Sequence, residues 1–180
     1  MTGYTLHHRA AAMIRDAGGE LIGRTRLQKT TYLTQLAGFS KDFVFGYKHY
    51  GPYSEELAEA IEIAAGLSIV NEDERRADWG GRYSIYRFGG EELVDCPENA
   101  DRQSFIRAAA RIGSIELELA ATAAFLYSAE GFGKDGNGDP WAETARRKPE
   151  KAGEGRLEKA KEAYRALLQI HVPAPLPNIV

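Results

Sequence analysis

Between Thr25 and Ala37 the apolar residues Leu27, Tyr32, Leu33, Leu36 and Ala37 do not fall on one helical stripe. A helix that is apolar on more than one side has to be enclosed on more than one side. The segment therefore predicts a central helix, stopped by Gly38, around which the other elements are arranged. A chain of 180 residues supplies enough material for one such arrangement, a single domain with its own core.

The flanking segments fit that frame. Leu6, Ala10, Met13 and Ala17 recur at three- and four-residue spacing and predict a helix over Thr5 to Ala17, ended by Gly18-Gly19. The aromatic run Phe43 to Tyr50 suits a short strand, with a turn at Gly51-Pro52. Ser54 is a good N-cap for a helix to about Ala65, with Leu57, Ile61, Ala64 and Ala65 inward. Leu67 to Val70 and Arg82 to Phe88 read as strands of a hairpin with a long charged tip, Asn71 to Gly81.

Beyond Gly89-Gly90 the pattern is helical: about Asp101 to Ile112, Ser114 to Ala129 with Ser114 as cap, a short helix entered through Asp139-Pro140 and ended at Lys148-Pro149, and Gly155 to Ile170. The expected fold class is mainly α with a small antiparallel β-hairpin, a winged-helix-like front half followed by a helical C-terminal half. Residues 1–90 form the winged-helix-like region, 91–172 the helical region packed on it, and 173–180 a Pro-rich tail expected to be extended and flexible.

The formal net charge is -3, so overall basicity, the usual footprint of a protein that grips phosphates, is excluded. The lone Cys96 permits no internal disulfide, the N-terminus shows no apolar signal region, and the longest apolar stretch falls short of the roughly 20 residues that span a bilayer. The expectation is a cytoplasmic protein with no membrane association.

No motif carries convincing catalytic chemistry. Gly18 to Thr25 has P-loop spacing with Arg24 in place of lysine, but a helix is expected before it, so it reads as an interhelical turn. Gly131 to Gly136 matches the dinucleotide fingerprint in letters only and reads as a flexible loop. Asp135, Asn137 and Asp139 alternate like a calcium loop, yet Pro140 and Arg146 stand where glycine and glutamate belong. His7 and His8 diverge on a helix, His49 and His171 are isolated, and no zinc-ligand spacing exists. Cys96 beside Asp95 is expected to be a poor nucleophile. No enzyme, cofactor or metal is expected.

The set Tyr47, Lys48, His49, Tyr50 and Tyr53 interleaves aromatic and basic groups, a composition seen both in cores and at binding surfaces. The sequence Arg24-Thr25-Arg26-Leu27-Gln28-Lys29-Thr30-Thr31-Tyr32-Leu33 resembles the "LQKLLYL" helix of SocA/Panacea-type antitoxin domains and the related YwgA-like bacterial proteins. Tyr47 to Leu57 resembles their "Y.YGPYS.EL" turn and helix, in the same order. Thr30 and Thr31 stand where those proteins carry leucines. Ala121-Thr122 and Arg147-Lys148-Pro149 are similar to the YwgA-like C-terminal half. The resemblance implies a compact helical domain with a winged-helix-like front and a non-catalytic role, antitoxin-like or adaptor-like, with a toxin or a protease component as partner.

Two functions compete. The first is a protein-binding or regulatory module whose surface is Tyr47, His49, Tyr50, Tyr53 and the glutamates Glu55, Glu56, Glu59 and Glu62 of the third helix. A homodimer is compatible with it. The alternative is a winged-helix transcriptional regulator reading DNA with that helix. The helix carries four glutamates and no lysine or arginine, which repels phosphate and makes nucleic acid the poorer partner.

Overall fold

A computed structural model describes residues 5–180. About half of the chain is helical. The front half runs α1 (Leu6–Asp16), β1 (Glu20–Ile22), α2 (Arg24–Leu36), β2 (Gly46–Lys48), β3 (Gly51–Tyr53), α3 (Glu55–Gly66), β4 (Val70–Arg76) and β5 (Arg82–Phe88). The rear half is helical: α4 (Ala100–Ala110), α5 (Ser114–Glu130), α6 (Pro140–Arg147), α7 (Pro149–Ala152) and α8 (Arg156–Leu168). None of the described helices is long and apolar enough to cross a membrane.

Helix α2 is central, as its lack of a single apolar stripe requires. Every residue from Leu27 to Thr34 is buried. Its front face joins a core with α1 and α3 around Leu27, Ile14, Leu57 and Ile61. Its rear face joins a second core with α4 and α5 around Leu33, Phe105, Leu119 and Phe125. Helix α5 is buried along Leu117 to Leu126 and receives α6 and α8, whose Trp141 and Tyr164 rings meet edge to face at 6.0 Å.

The front half carries more strand than its sequence suggests. The hairpin β4–β5 pairs Val70 with Phe88 through Arg76 with Arg82, so the charged run Asn71 to Arg76 is strand rather than loop. Ser68 takes a positive φ of 60° as the chain leaves α3, leaving Leu67 exposed outside the sheet. The strand charges are satisfied across the ladder, as in Glu74 with Arg82 at 3.3 Å and Asp73 with Arg87 at 3.8 Å. A third strand, β1, pairs antiparallel with β5 and gives the order β1-β5-β4. At three residues between glycines it has no alternation long enough to betray it.

The aromatic run likewise turns earlier than expected. Strands β2 and β3 pair Gly46 with Tyr53, Tyr47 with Pro52 and Lys48 with Gly51, so the turn falls at His49-Tyr50 and Gly51-Pro52 lie in a strand. Ser54 caps α3 as expected, its hydroxyl accepting from Leu57 N at 3.2 Å. Ser114, by contrast, is not a cap: Gly113 precedes α5, and the Ser114 hydroxyl accepts from Arg26 Nη2 at 2.9 Å.

A buried carboxylate ties the front to the rear. Asp16, at the end of α1, is fully enclosed and accepts from Arg15 Nε at 3.0 Å and Arg102 Nε at 2.9 Å. The same arginines reach the carbonyls of Cys96 and Pro97, so the segment between β5 and α4 is pinned to both helices.

The Pro-rich tail is extended but held, against the expectation of a flexible end. Ala174 N donates to Ala37 O at 3.0 Å, Tyr164 Oη to Pro177 O at 2.6 Å, and Trp141 Nε1 to Ile179 O at 2.8 Å. Leu176 is buried in the rear core. Proline-rich composition predicts an extended conformation; tyrosine and tryptophan donors left over on α8 and α6 supply the anchors that composition cannot show.

Candidate functional site

The two segments that carry the family resemblance meet in space. Gln28 is buried, and its side-chain amide makes both bonds to the backbone of Ser54: Nε2 donates to the carbonyl at 2.9 Å, and the amide oxygen accepts from the N–H at 2.8 Å. The adjacent Lys29 donates from Nζ to Pro52 O at 2.7 Å. Neighbouring side chains of a helix diverge by about 100°, so they reach alternate residues of the strand crossing above. The clamp satisfies buried backbone groups that a two-stranded ribbon leaves open.

On the other side the strand meets α5. Gly51 has a φ of +90°, and a Cβ there would overlap Thr122 Oγ1. Glycine is therefore required twice, for the backbone angle and for the close approach. Among the described residues, Thr122 Oγ1 is buried without a hydrogen-bond partner, as are the hydroxyls of Thr30 and Thr31.

Beneath the hairpin lies a buried ionic cluster. Glu118 accepts from Lys148 Nζ at 2.7 Å and from Lys151 Nζ at 2.8 and 2.7 Å. Lys148 Nζ also donates to His49 O at 2.9 Å, tying the hairpin tip to the α6–α7 junction. Burial lowers the Lys29 amine to about 7, with Lys148 and Lys151 adding to the effect and Glu118 opposing it. Lys29 is 1% exposed, so its amine is a buried donor rather than a group presented to solvent. Gln28, Lys29 and Lys148 entered the sequence reading as motif residues with no site role, and Glu118 did not enter it at all. The available signal was polar residues inside otherwise apolar helices, which cannot all face water and so need buried partners.

The proposed surface residues divide. Tyr47 is half-buried, its ring 6.0 Å from Phe125 with the Arg147 guanidinium 4.8 Å from its face, and it packs rather than projects. Tyr53 is half-buried with Lys48 Nζ 4.6 Å from its ring. His49 is exposed, and Tyr50 is 57% exposed at the hairpin tip with Lys151 Nζ 4.7 Å from its ring. Alternation along a strand explains Tyr47, whereas the turn frees His49 and Tyr50.

The four glutamates of α3 are all exposed. Glu55 pairs with Lys48, and Glu56 accepts from Val44 N at 2.9 Å, joining α3 to the segment before β2. Among the described residues Glu59 and Glu62 have no hydrogen bond or ion pair, and the exposed Ile63 and Leu67 continue the same helix. The result is an acidic face with an apolar end.

The sequence motifs fall out as follows. A helix, α1, ends directly before the P-loop-like segment as expected, but the segment holds strand β1 and is not a plain interhelical turn; a single residue, Gly23, joins that strand to α2, too short a turn to wrap a phosphate. The Gly131 to Gly136 segment follows α5, and Asp139 accepts from Trp141 N at 3.0 Å as the cap of α6. Among the described residues no three histidine, cysteine or acidic side chains gather as metal ligands. Burial pushes the Cys96 thiol up, with Asp42 adding to it, while Arg9, Arg15 and Arg102 pull the other way. Burial rather than the neighbouring Asp95 is thus the main influence on the thiol.

Comparison with known proteins bears out the YwgA-like part of the motif reading. No family model matches the chain. A relative in Bacillus subtilis (strain 168), the uncharacterized protein YwgA, is 30% identical over 131 residues, covering 68% of this chain and 76% of the relative. With the Gln-Lys helix clamping the Tyr-Gly-Pro-Tyr-Ser hairpin and an aligned relative at that coverage, the chain belongs to the YwgA family.

Proposed function

We propose that the protein is a non-enzymatic binding or regulatory module that docks another protein on the exposed face of α3 and the adjoining hairpin tip. The observation that carries this is the state of Glu59 and Glu62, exposed and unpaired beside exposed Ile63 and Leu67. Charges that stabilised the domain itself would have partners; free carboxylates beside apolar side chains suit a basic partner with an apolar anchor. The likeness of its motifs to SocA/Panacea-type domains supports an antitoxin-like or proteolytic-adaptor-like role within that reading. A cytoplasmic location goes with it, supported by the free thiol of Cys96.

A winged-helix DNA regulator is the second reading. It is favoured by the element order α1, β1, α2, α3 and the β4–β5 hairpin, with the β2–β3 ribbon inserted between α2 and α3, and by the sheet order β1-β5-β4. The acidic α3 weighs against it, because a helix in the major groove lies between rows of phosphates.

The test is a nuclease-treated affinity purification from the native host, run in parallel with a Glu59→Lys/Glu62→Lys variant and an Arg165→Glu control on α8. The reading expects a stoichiometric protein partner with wild type and control that is lost with the α3 variant. A partner retained by the α3 variant, or recovery of nuclease-sensitive nucleic acid alone, overturns it.

A further inference from the structure

A cleft of about 410 Å³ opens where the N-terminus of α2, the β4–β5 hairpin and the start of α5 converge. It lies on residues that the proposed protein-docking face does not use, apart from Tyr50 at its rim, and its volume falls in the range of small-molecule sites.

Its charge is unusual for an acidic protein. Arg24, Arg26, Arg82 and Lys151 line it; Arg24 pairs with Glu72 at 2.9 Å, Arg82 with Glu74 at 3.3 Å and Lys151 with Glu118 at 2.7 Å, which leaves Arg26 as the surplus cation. Behind the wall Lys148 adds a second, since it shares Glu118 with Lys151. Arg26 has no carboxylate: its guanidinium donates to the carbonyls of Ile22, Ala110 and Ile112 and to Ser114 Oγ. The pair Arg82–Glu74 is exposed and 3.3 Å long, a weak contact that a better anion can displace. The first turn of α2 adds to the field, since it holds no acidic residue and its cap, Gly23, has no side chain to occupy the free amides.

Its rim is aromatic. Trp79 is 80% exposed at the hairpin tip, with Tyr83 and Tyr50 on the same cleft. The Trp79 ring lies against Gly81, where any Cβ would overlap it, while most of the indole remains exposed. A large ring kept exposed and pre-positioned beside excess positive charge is the arrangement that stacks a planar base while cations take its phosphates.

We infer that this cleft binds a nucleoside phosphate, with Arg82 released from Glu74 onto the phosphate groups beside the first turn of α2 and Trp79 stacked on the base. A mononucleotide suits the enclosed volume; a continuous strand of nucleic acid would have to run on over a surface that is acidic overall.

The full chain is titrated with ATP, GTP, inorganic pyrophosphate and a single-stranded oligonucleotide, by calorimetry and by tryptophan fluorescence. Trp141 is buried at 2% exposure, so quenching by a ligand reports Trp79. The expected result is nucleotide binding with quenching, and at least about tenfold weaker binding in Arg82→Gln and in Trp79→Ala, the losses of one charge-assisted contact and one stacked ring. Both positions are exposed, and an unchanged circular dichroism spectrum with an unchanged melting midpoint confirms folding. The inference is overturned if no nucleotide binds up to millimolar concentration, if either variant binds as wild type does, if pyrophosphate binds as tightly as ATP, or if the oligonucleotide binds more tightly than the mononucleotides.

Discussion

Lys29→Met tests the polar core most directly, through the pH dependence of stability. In wild type the amine is buried, donates to Pro52 O, and is lowered to about 7 by its enclosure first and by Lys148 and Lys151 after that. In the unfolded chain a lysine titrates near 10.4. Between these values the unfolded state binds more protons than the folded state, so folding stability rises with pH through that window. From pH 7 to pH 9, Lys29 alone should add about 2 kcal/mol of stability, approaching the limiting slope of about 1.4 kcal/mol per pH unit. Below the folded value the ammonium is present in both states, and the slope from this residue vanishes. Methionine keeps the stem and removes the titration, so subtracting the variant's profile cancels other ionisations. The assay is urea denaturation followed by circular dichroism at half-unit steps over that window. The variant loses the hydrogen bond to Pro52 at every pH, which shifts its curve without tilting it. Parallel profiles for the two proteins would refute the argument, because they would mean that Lys29 is charged or solvated equally in both states.

Gly51→Ala should lose about 1–2 kcal/mol from the positive φ alone, and more from overlap with Thr122. Adding Thr122→Ala should recover only the overlap, so a double-mutant cycle by thermal unfolding separates the two, and full recovery would show that the backbone angle carries no strain. Glu118→Gln leaves the buried Lys148 ammonium without its counter-charge and should lose about 3–5 kcal/mol in chemical denaturation, and a loss below about 1 kcal/mol would show that the cluster is solvated. Deleting residues 173–180 in a Trp79→Phe background should red-shift the remaining Trp141 emission, since the deletion removes its Ile179 acceptor and the Leu176 cover; an unmoved spectrum would show that the tail is not held.

Much of this arrangement is readable from local pattern. The centrality of α2 follows from its side chains alone, because a helix with apolar residues on several sides has to be enclosed. The cap at Ser54, the proline entry of α6 and the glycine stop after α2 are decided within a few residues, and their positions could be given before any contact was known. The same holds for the acidic face of α3, where Glu55, Glu56, Glu59 and Glu62 lie off the Leu57–Ile61–Ala64 stripe.

Long-range pairing decided the rest. Strand β1 exists because β5 offers Ile85 to Arg87 as partners, and three residues between glycines carry no period that would announce it. The charged run Asn71 to Arg76 becomes strand because its charges find counterparts across the ladder; read alone, it is a solvated loop. The tail looks flexible by composition and is fixed by hydrogen-bond donors on α6 and α8, residues distant in sequence. The polar cluster is the sharpest case. Gln28 and Lys29 look like the solvated side of a helix, and Glu118 and Lys148 look like scattered surface charge, until the crossing of α2, the β2–β3 hairpin and α5 removes water from all four at once. Local sequence sets backbone preference and the direction in which a side chain leaves its helix, but desolvation and partnering depend on which elements come together, and that is a property of the tertiary structure.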